Sequence, residues 1–227
     1  MKNFFYLLFF LISLSFSFSK EKQKVDKEKN IEKNVIEYIR KYSILAIEEM
    51  EKFGIPASIK LGQGILESSS GNSILSKATN NHFGIKCGKN WMGDVYYYDD
   101  DLPKECFRKY NSIKDSFLDH SKFLQQPRYY KLFSLKKNDY QSWAIELKKA
   151  GYATSLNYSI LLINKIEEYL LWKFDEETSK DMNKRIDLYI NSIIRKNETK
   201  KRDYIFRKIR FFYKIFLLII KKFKLYK

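Results

Sequence analysis

Between positions 35 and 53, apolar side chains recur every three or four residues, and this pattern constrains the fold more than any other feature of the chain. Such a stripe is typical of an amphipathic α-helix, which Gly54 would end. A second helix is predicted over Pro56–Ser68, where Gly62 and Gly64 indicate close packing against a neighbour. The chain has only 8 glycines and 3 prolines in 227 residues, which favours helices over a turn-rich sandwich or barrel.

The rest of the core is predicted to be helical, with one small β insertion. Val95–Tyr98 and Cys106–Tyr110 flank the turn-like sequence DDDLPKE, and this arrangement predicts a β-hairpin. We therefore expect an α+β fold, mostly α, over residues 35–174. The predicted N-caps of the later helices are Ser112 (in a capping box with Asp115), Asp139 and Asn157.

The first 34 residues are predicted to lie outside this core. Residues 1–19 are identified as a signal peptide, because Lys2 precedes a short apolar run and Ser17 and Ser19 fit the positions before a cleavage site. An uncleaved membrane anchor is the alternative, although the apolar run is short for a bilayer span. Residues 20–34 are nearly all charged or amide side chains and are predicted to form a flexible linker.

The chain has two cysteines, Cys87 and Cys106, and their redox state depends on whether the chain is exported. In an oxidising compartment we expect them to form a disulfide, with two buried free thiols as the alternative. The only histidines are His82 and His120, and no His/Cys cluster has the spacing of a zinc site. We expect neither a metal nor an organic cofactor.

Glu67 is the candidate acid of the chain. It follows Ile65 and Leu66 at the end of a predicted helix and precedes a polar turn. A carboxyl group against an apolar helix face would have a raised pKa and could donate a proton at neutral pH. A single Glu near a helix end is usually a solvated surface residue, so the assignment depends on its surroundings.

Several motifs accompany Glu67 in a fixed order along residues 35–174. They are Gly54–Ser58 (GIPAS), Gln63–Ser68 (QGILES), Asn80–Lys86 (NNHFGIK), Phe107–Tyr110 (FRKY) and Gly151–Thr154 (GYAT). This series resembles the bacterial glucosaminidase family, glycoside hydrolase family 73, which comprises peptidoglycan hydrolases similar to mannosyl-glycoprotein endo-β-N-acetylglucosaminidase.

The resemblance implies a lysozyme-like helical lobe with a small β-hairpin lobe. It also implies an exported enzyme of the periplasm or cell envelope, which cleaves the N-acetylglucosaminyl-β-1,4-N-acetylmuramyl bond of peptidoglycan. The family's general acid falls on Glu67, and the tyrosine thought to position the acetamido sugar falls on Tyr152. Asn81 and Phe83 would line the cleft on the substrate side.

The second carboxylate is expected on the hairpin lobe. Among the acids there we favour Asp100, then Asp99; a solvated turn is the alternative reading of this acidic run. A substrate-assisted route through the sugar's own acetamido group would need no close second carboxylate. Tyr97 and Tyr98 could stack on sugar faces, or pack within the small lobe instead.

Two departures from the family pattern keep other functions open. Ser69 replaces the glycine of the usual Glu-Ser-Gly, and Ser155-Leu156 replace the usual Asp-Pro after Tyr-Ala-Thr. These departures leave open a non-catalytic protein that binds the cell wall or membrane surface. A lytic transglycosylase is a further alternative, because lysozyme-like folds with a lone acid can also cleave the glycan without water.

The C-terminal segment is strongly basic. After a predicted helical linker over residues 175–199, residues 200–227 contain eleven lysines and arginines against the single acid Asp203. This amphipathic tail favours binding to an anionic membrane surface, with anionic wall polymers and a poorly ordered terminus as alternatives. Export disfavours nucleic acid as a partner, and we expect a monomer.

Overall fold

A computed structural model describes the backbone of residues 2–224, and the side chains of residues 23, 25–211, 213, 214 and 217. The described part of the chain divides into two compact units, one up to Met182 and one from Asn183 onward. Within the described backbone, the elements are α1 (Lys2–Phe53), α2 (Ala57–Ser68), α3 (Ile74–Thr79), β1 (Val95–Tyr98), β2 (Glu105–Arg108), α4 (Ile113–Leu124), α5 (Tyr140–Lys149), α6 (Tyr158–Glu168) and α7 (Ser179–Lys224), with 3-10 helices at Pro127–Ser134 and Leu171–Glu176. The prediction of an α+β fold, mostly α, is confirmed.

Helix α1 ends where predicted but begins much earlier. Gly54 has a φ of +75°, and its N–H donates to the carbonyl of Met50 at 2.8 Å. Residues 20–34, which we expected to be a flexible linker, are helical, because Lys, Glu and Gln have high helix propensity. The side chains of the predicted signal peptide, 1–19, lie outside the described residues, and its cleavage stays a prediction.

Helix α2 is the central element of the first unit, and nearly all of its side chains are buried. A Cβ atom on Gly62 would lie 2.7 Å from Cδ1 of Leu162, and one on Gly64 would collide with the hydroxyl of Tyr38. The predicted close packing at both glycines is therefore confirmed. It lets α1 and α6 approach the backbone of the helix that carries Glu67.

A buried lysine, Lys60, joins α2 to its neighbours. Its Nζ donates to the carbonyl of Phe117 in α4 at 2.8 Å and lies 3.9 Å from Oε2 of Glu49 in α1. Burial lowers the pKa of Lys60 to about 7, and the charge of Glu49 opposes this shift. Sequence reasoning did not single out this residue, because a charged side chain is usually exposed.

The small lobe is the predicted hairpin. Strands β1 and β2 are antiparallel, with Val95 opposite Arg108 and Tyr98 opposite Glu105. The disulfide between Cys87 and Cys106 is present and joins β2 to the loop that precedes β1. The predicted β insertion and cysteine pairing are thus confirmed.

The later helices begin at the predicted residues. Ser112 and Asp115 form the reciprocal capping box of α4, and Asp139 Oδ1 accepts from the N–H of Ser142 at 3.0 Å in the first turn of α5. Asn157 precedes α6, but its side chain makes no capping hydrogen bond, so that part of the prediction is wrong. The core between these helices includes Trp143 and Phe117, both fully buried.

The second unit is helical as far as the structure describes it. Helix α7 covers most of the predicted linker, 175–199, and the basic tail up to Lys224; residues 225–227 lie outside the described residues. Its described part exposes Ile205, Phe206 and Ile209. Across the described residues, no helix is both long enough and apolar enough to cross a bilayer.

Candidate active site

The first unit contains a cleft with a cavity volume of about 730 Å³. Glu67 reaches it from the last turn of α2, and the loop after α3 contributes Phe83. The turn of the β-hairpin contributes Asp100, and the segment between α5 and α6 contributes Tyr152. The structure therefore brings four of the predicted site residues, far apart in sequence, to one cavity.

Glu67 lies in an environment that favours its protonated form. Its Oε1 is buried and has no hydrogen-bond partner among the described residues. Burial raises the pKa of Glu67 to about 7; the Tyr158 hydroxyl opposes the shift, and the negative charge of Asp100 adds to it. At neutral pH a large fraction of this carboxyl group therefore carries a proton that it could donate.

Tyr158 is a cleft residue that sequence reasoning missed. Its hydroxyl accepts a hydrogen bond from Nε2 of Gln63 at 2.9 Å and adjoins Glu67. The bond from Gln63 fixes the ring beside the acid. Nothing in the sequence distinguished Tyr158 from an ordinary core residue at the start of a helix.

The acids of the hairpin turn have different surroundings. Asp100 and Asp101 line the cleft, and Asp100 acts electrostatically on Glu67. Asp99 does not line the cleft, and its Oδ1 accepts a hydrogen bond from the N–H of Lys104 at 2.7 Å within the turn. Asp100 is thus the acid of the predicted pair that has access to Glu67.

Tyr152 is held on the cleft wall by His120. Its hydroxyl lies 3.2 Å from Nε2 of His120, whose ring stacks on Phe83 with a centroid separation of 3.9 Å. Burial, with a contribution from the positive charge of Lys60, lowers the pKa of His120 well below its ordinary value. The imidazole is therefore neutral at physiological pH and positions two lining residues without adding charge.

Asn81 is not at the cleft surface, where we expected it. It is buried, and its Nδ2 donates to the carbonyls of Ile85 at 2.9 Å and Arg108 at 3.0 Å. Its Oδ1 accepts from the N–H of Ile85 at 3.1 Å. The structure thus assigns Asn81 to shaping the loop that presents Phe83, because its amide is used by the backbone.

The predicted sugar-stacking tyrosines also lie away from the cavity. Tyr97 is 65% exposed on the hairpin, and Tyr98 packs edge-on against Phe107. Neither lines the cleft. In a strand, alternate side chains face opposite sides, so this hairpin presents Tyr97 to solvent and Tyr98 to the small lobe.

The two departures from the family pattern have local structural consequences. Ser69, which stands where the family has glycine, adopts a left-handed conformation with a φ of 50° and ends α2. A non-glycine residue in this region costs on the order of 1 kcal/mol. Ser155 lines the cleft, whereas Leu156 is exposed. Both substitutions leave Glu67 in place.

Among residues whose placement the structure describes, no group of three or more His, Cys, Asp or Glu side chains is arranged to hold a metal ion.

Residues 43–171 match the family Glucosaminidase, described as mannosyl-glycoprotein endo-beta-N-acetylglucosaminidase. The chain is 32% identical over 117 residues to peptidoglycan hydrolase FlgJ of Vibrio parahaemolyticus, covering 47% of this chain and 38% of that protein. It is 33% identical over 139 residues to exo-glucosaminidase LytG of Bacillus subtilis, covering 56% and 48%. The chain thus spans less than half the length of either relative.

A solved structure has the same fold. The crystal structure of a peptidoglycan hydrolase from Sphingomonas sp. A1 superposes with a TM-score of 0.54 at 29% identity. The match covers 61% of this chain and 92% of that one. The prediction of a helical lobe with a small β-hairpin lobe, as in this class of hydrolases, is confirmed.

Proposed function

The chain belongs to the glucosaminidase family of glycoside hydrolases, and from that premise we propose that it is an exported peptidoglycan hydrolase with Glu67 as its general acid. The proposed reaction cleaves the β-1,4 bond between N-acetylglucosamine and N-acetylmuramic acid in the glycan strand. The observation that carries this proposal is a carboxyl group on the cleft wall with a pKa raised to about 7 by burial.

In the proposed mechanism, protonated Glu67 gives its proton to the glycosidic oxygen as the bond to the anomeric carbon breaks. The sugar ring acquires oxocarbenium character, and its positive charge needs a nearby anion or nucleophile. Water then adds to the anomeric carbon, and its proton returns to a carboxylate of the site. Tyr152, held by His120, supports the bound acetamido sugar from the cleft wall.

Two routes can stabilise the charged ring. Asp100 lines the cleft and would act directly on the anomeric centre, whereas the acetamido carbonyl of the substrate would act without a protein carboxylate. Asp100→Asn separates these routes. A loss of activity of about a hundredfold or more indicates that Asp100 takes part, and a loss below about tenfold favours substrate assistance.

The proposal is tested on purified sacculi with the wild type, Glu67→Gln and a matched control, Glu48→Gln, whose side chain is exposed on α1. We expect Glu67→Gln to lose clearing activity by at least about a hundredfold, because an amide has no proton to give. Glu48→Gln should clear like the wild type. A Glu67→Gln variant that clears normally would remove Glu67 from the mechanism.

Product analysis decides between the enzyme classes. A glucosaminidase leaves a reducing N-acetylglucosamine end, whereas a lytic transglycosylase leaves an anhydromuramyl end. If the protein binds sacculi and forms neither of these ends, it is a non-catalytic wall-binding protein with this fold.

The substrate implies an extracytoplasmic location, and the proposed signal peptide over residues 1–19 would supply export. The disulfide between Cys87 and Cys106 fits such a compartment. Fractionation followed by N-terminal sequencing tests export: the expected mature chain begins at Lys20, and a cytoplasmic chain with an intact N-terminus would contradict it.

We further propose that the basic tail binds an anionic membrane surface. Because an α-helix has about 3.6 residues per turn, Arg207, Arg210 and Lys214 fall on one face of α7. Ile205 and Ile209 fall on another face and are exposed. This arrangement is typical of helices that lie in the membrane interface.

Vesicle co-sedimentation tests the tail in the full chain. Arg207→Glu, Arg210→Glu and Lys214→Glu combined should abolish binding to anionic vesicles, whereas the same charge change at Lys122, Lys131 and Lys137 should not. Equal binding by both triple variants would contradict a role for the tail. Binding to sacculi but not to vesicles would assign the tail to wall polymers.

A further inference from the structure

The wall of the cleft carries four cationic side chains, and they differ in how they are neutralised. Nζ of Lys86 lies 2.6 Å from Oε1 of Glu105. Nη1 of Arg108 lies 2.7 Å from Oδ2 of Asp119. Within the part of the chain that the structure describes, the other two form no ion pair. These two are Lys89 and Arg128.

Arg128 is the better fixed of these two. It occupies the first turn of the 3-10 helix Pro127–Ser134, directly after the proline. Its guanidinium carbon lies 5.0 Å from the ring centroid of Phe123 and 4.5 Å from that of Tyr129. Phe123 itself lines the cleft. Contact with two aromatic rings restricts the guanidinium group, which also interacts with the Tyr129 hydroxyl. Because a guanidinium group has five N–H donors, this interaction leaves others for a ligand.

We propose that Arg128 forms a carboxylate subsite in the cleft and makes the enzyme selective for glycan strands that carry an acidic substituent. This inference rests on the proposed function. A guanidinium group matches a carboxylate with two parallel hydrogen bonds, and such charge-assisted pairs are stronger than neutral ones. Lys89, on the loop of the small lobe, adds positive potential to the same cavity.

Two parts of a peptidoglycan strand offer this chemistry. One is the lactyl carboxylate of muramic acid, which is free where the stem peptide has been removed. The other is a carboxylate of the stem peptide. An oligomer of N-acetylglucosamine alone has neither, so the subsite would distinguish wall glycan from a neutral β-1,4 glycan.

Binding is measured with strands that cannot be cut, so the proteins carry Glu67→Gln. Three ligands are compared by calorimetry: strands with stem peptides, denuded strands with free lactyl carboxylates, and the same denuded strands with those carboxylates converted to methylamides. Each is titrated into Glu67→Gln alone, with Arg128→Met, and with Lys137→Met as a matched control. Methionine keeps an apolar chain against Phe123 and Tyr129.

We expect Glu67→Gln, alone or with Lys137→Met, to bind at least one carboxylate-bearing ligand about tenfold more tightly than the methylamide, which corresponds to about 1.4 kcal/mol. With Arg128→Met the ratio should fall to about one. A preference for denuded strands identifies the lactyl group, and a preference confined to peptide-bearing strands identifies the stem.

The proposal is overturned if no ligand is preferred, or if the preference survives Arg128→Met. Because these measurements use a variant without the acid, they do not depend on cleavage. Failure of the wild type to clear sacculi would instead count against the proposed function.

Discussion

The side-chain carboxyl group of Asp175 caps helix α2 through Ser58, a residue 117 positions away in the sequence. Its Oδ1 accepts from the N–H of Ser58 at 2.7 Å, and its Oδ2 accepts from the hydroxyl at 2.6 Å. The residue at the N-cap of α2, Pro56, has no side chain that could do this. A distant segment therefore fixes the start of the helix whose last turn presents Glu67.

Asp175→Ala should lower the free energy of unfolding by about 1–2 kcal/mol, as for other lost N-caps. Asp175→Asn should lower it less, because one acceptor oxygen remains. Denaturant unfolding measures both against Glu176→Ala, an exposed neighbour. Equal stability of Asp175→Ala and Glu176→Ala would contradict the cap.

Gly62→Ala should destabilise the protein by about 1–3 kcal/mol, because the added methyl would overlap Cδ1 of Leu162. Leu162→Ala alone should cost about 2–5 kcal/mol by opening a cavity. The double variant should cost less than the sum, since each change relieves the other. Additive costs in the double-mutant cycle would contradict direct packing of α2 against α6 at this point.

Removal of the disulfide should cost roughly 3 kcal/mol, the loop-closure contribution for cysteines 19 residues apart. The measurement is the denaturant midpoint of wild type, oxidised and reduced, and of Cys87→Ser combined with Cys106→Ser. The denaturant midpoint of the oxidised wild type should be higher than those of the reduced wild type and the double variant. If reduction leaves its midpoint unchanged, the bridge does not constrain the loop of the small lobe.

The pH dependence of activity should follow the protonation of Glu67. A general acid acts only in its protonated form, so kcat/KM should fall as pH rises through about 7, the pKa that burial gives Glu67. Asp100→Asn should move this midpoint to lower pH, because the charge of Asp100 raises the pKa of Glu67. Glu48→Gln is the control, and the pH midpoint of its kcat/KM should equal that of the wild type. An unchanged midpoint in Asp100→Asn would contradict an electrostatic coupling between Asp100 and Glu67.

Patterns of neighbouring residues in the sequence predicted the helices and the β-hairpin, because the interactions that form these elements are local. The apolar stripe of α1, the glycines of α2 and the β-branched and aromatic residues of the hairpin each act over a few residues. The expectation of a raised pKa for Glu67 came from its apolar neighbours in sequence, and its buried position agrees with that expectation.

The contacts that complete the site act over long sequence separations and left no local signal. Tyr158 reaches Glu67 and Gln63 from another helix, and the hydrogen bonds of Asn81 appear only when the loop closes on Arg108. Asn81 was assigned to the substrate by its place in a motif. The structure instead uses its amide for the backbone, which a motif alone does not distinguish.

The most direct measurement is a carbon-13 NMR titration of the Glu67 carboxyl group, with the resonance assigned by its absence from Glu67→Gln. We predict a midpoint of about 7, well above the ordinary value of 4.5 for a glutamate. A midpoint near 4.5 would mean that the carboxyl group is ionised at neutral pH, and it would contradict Glu67 as the proton donor.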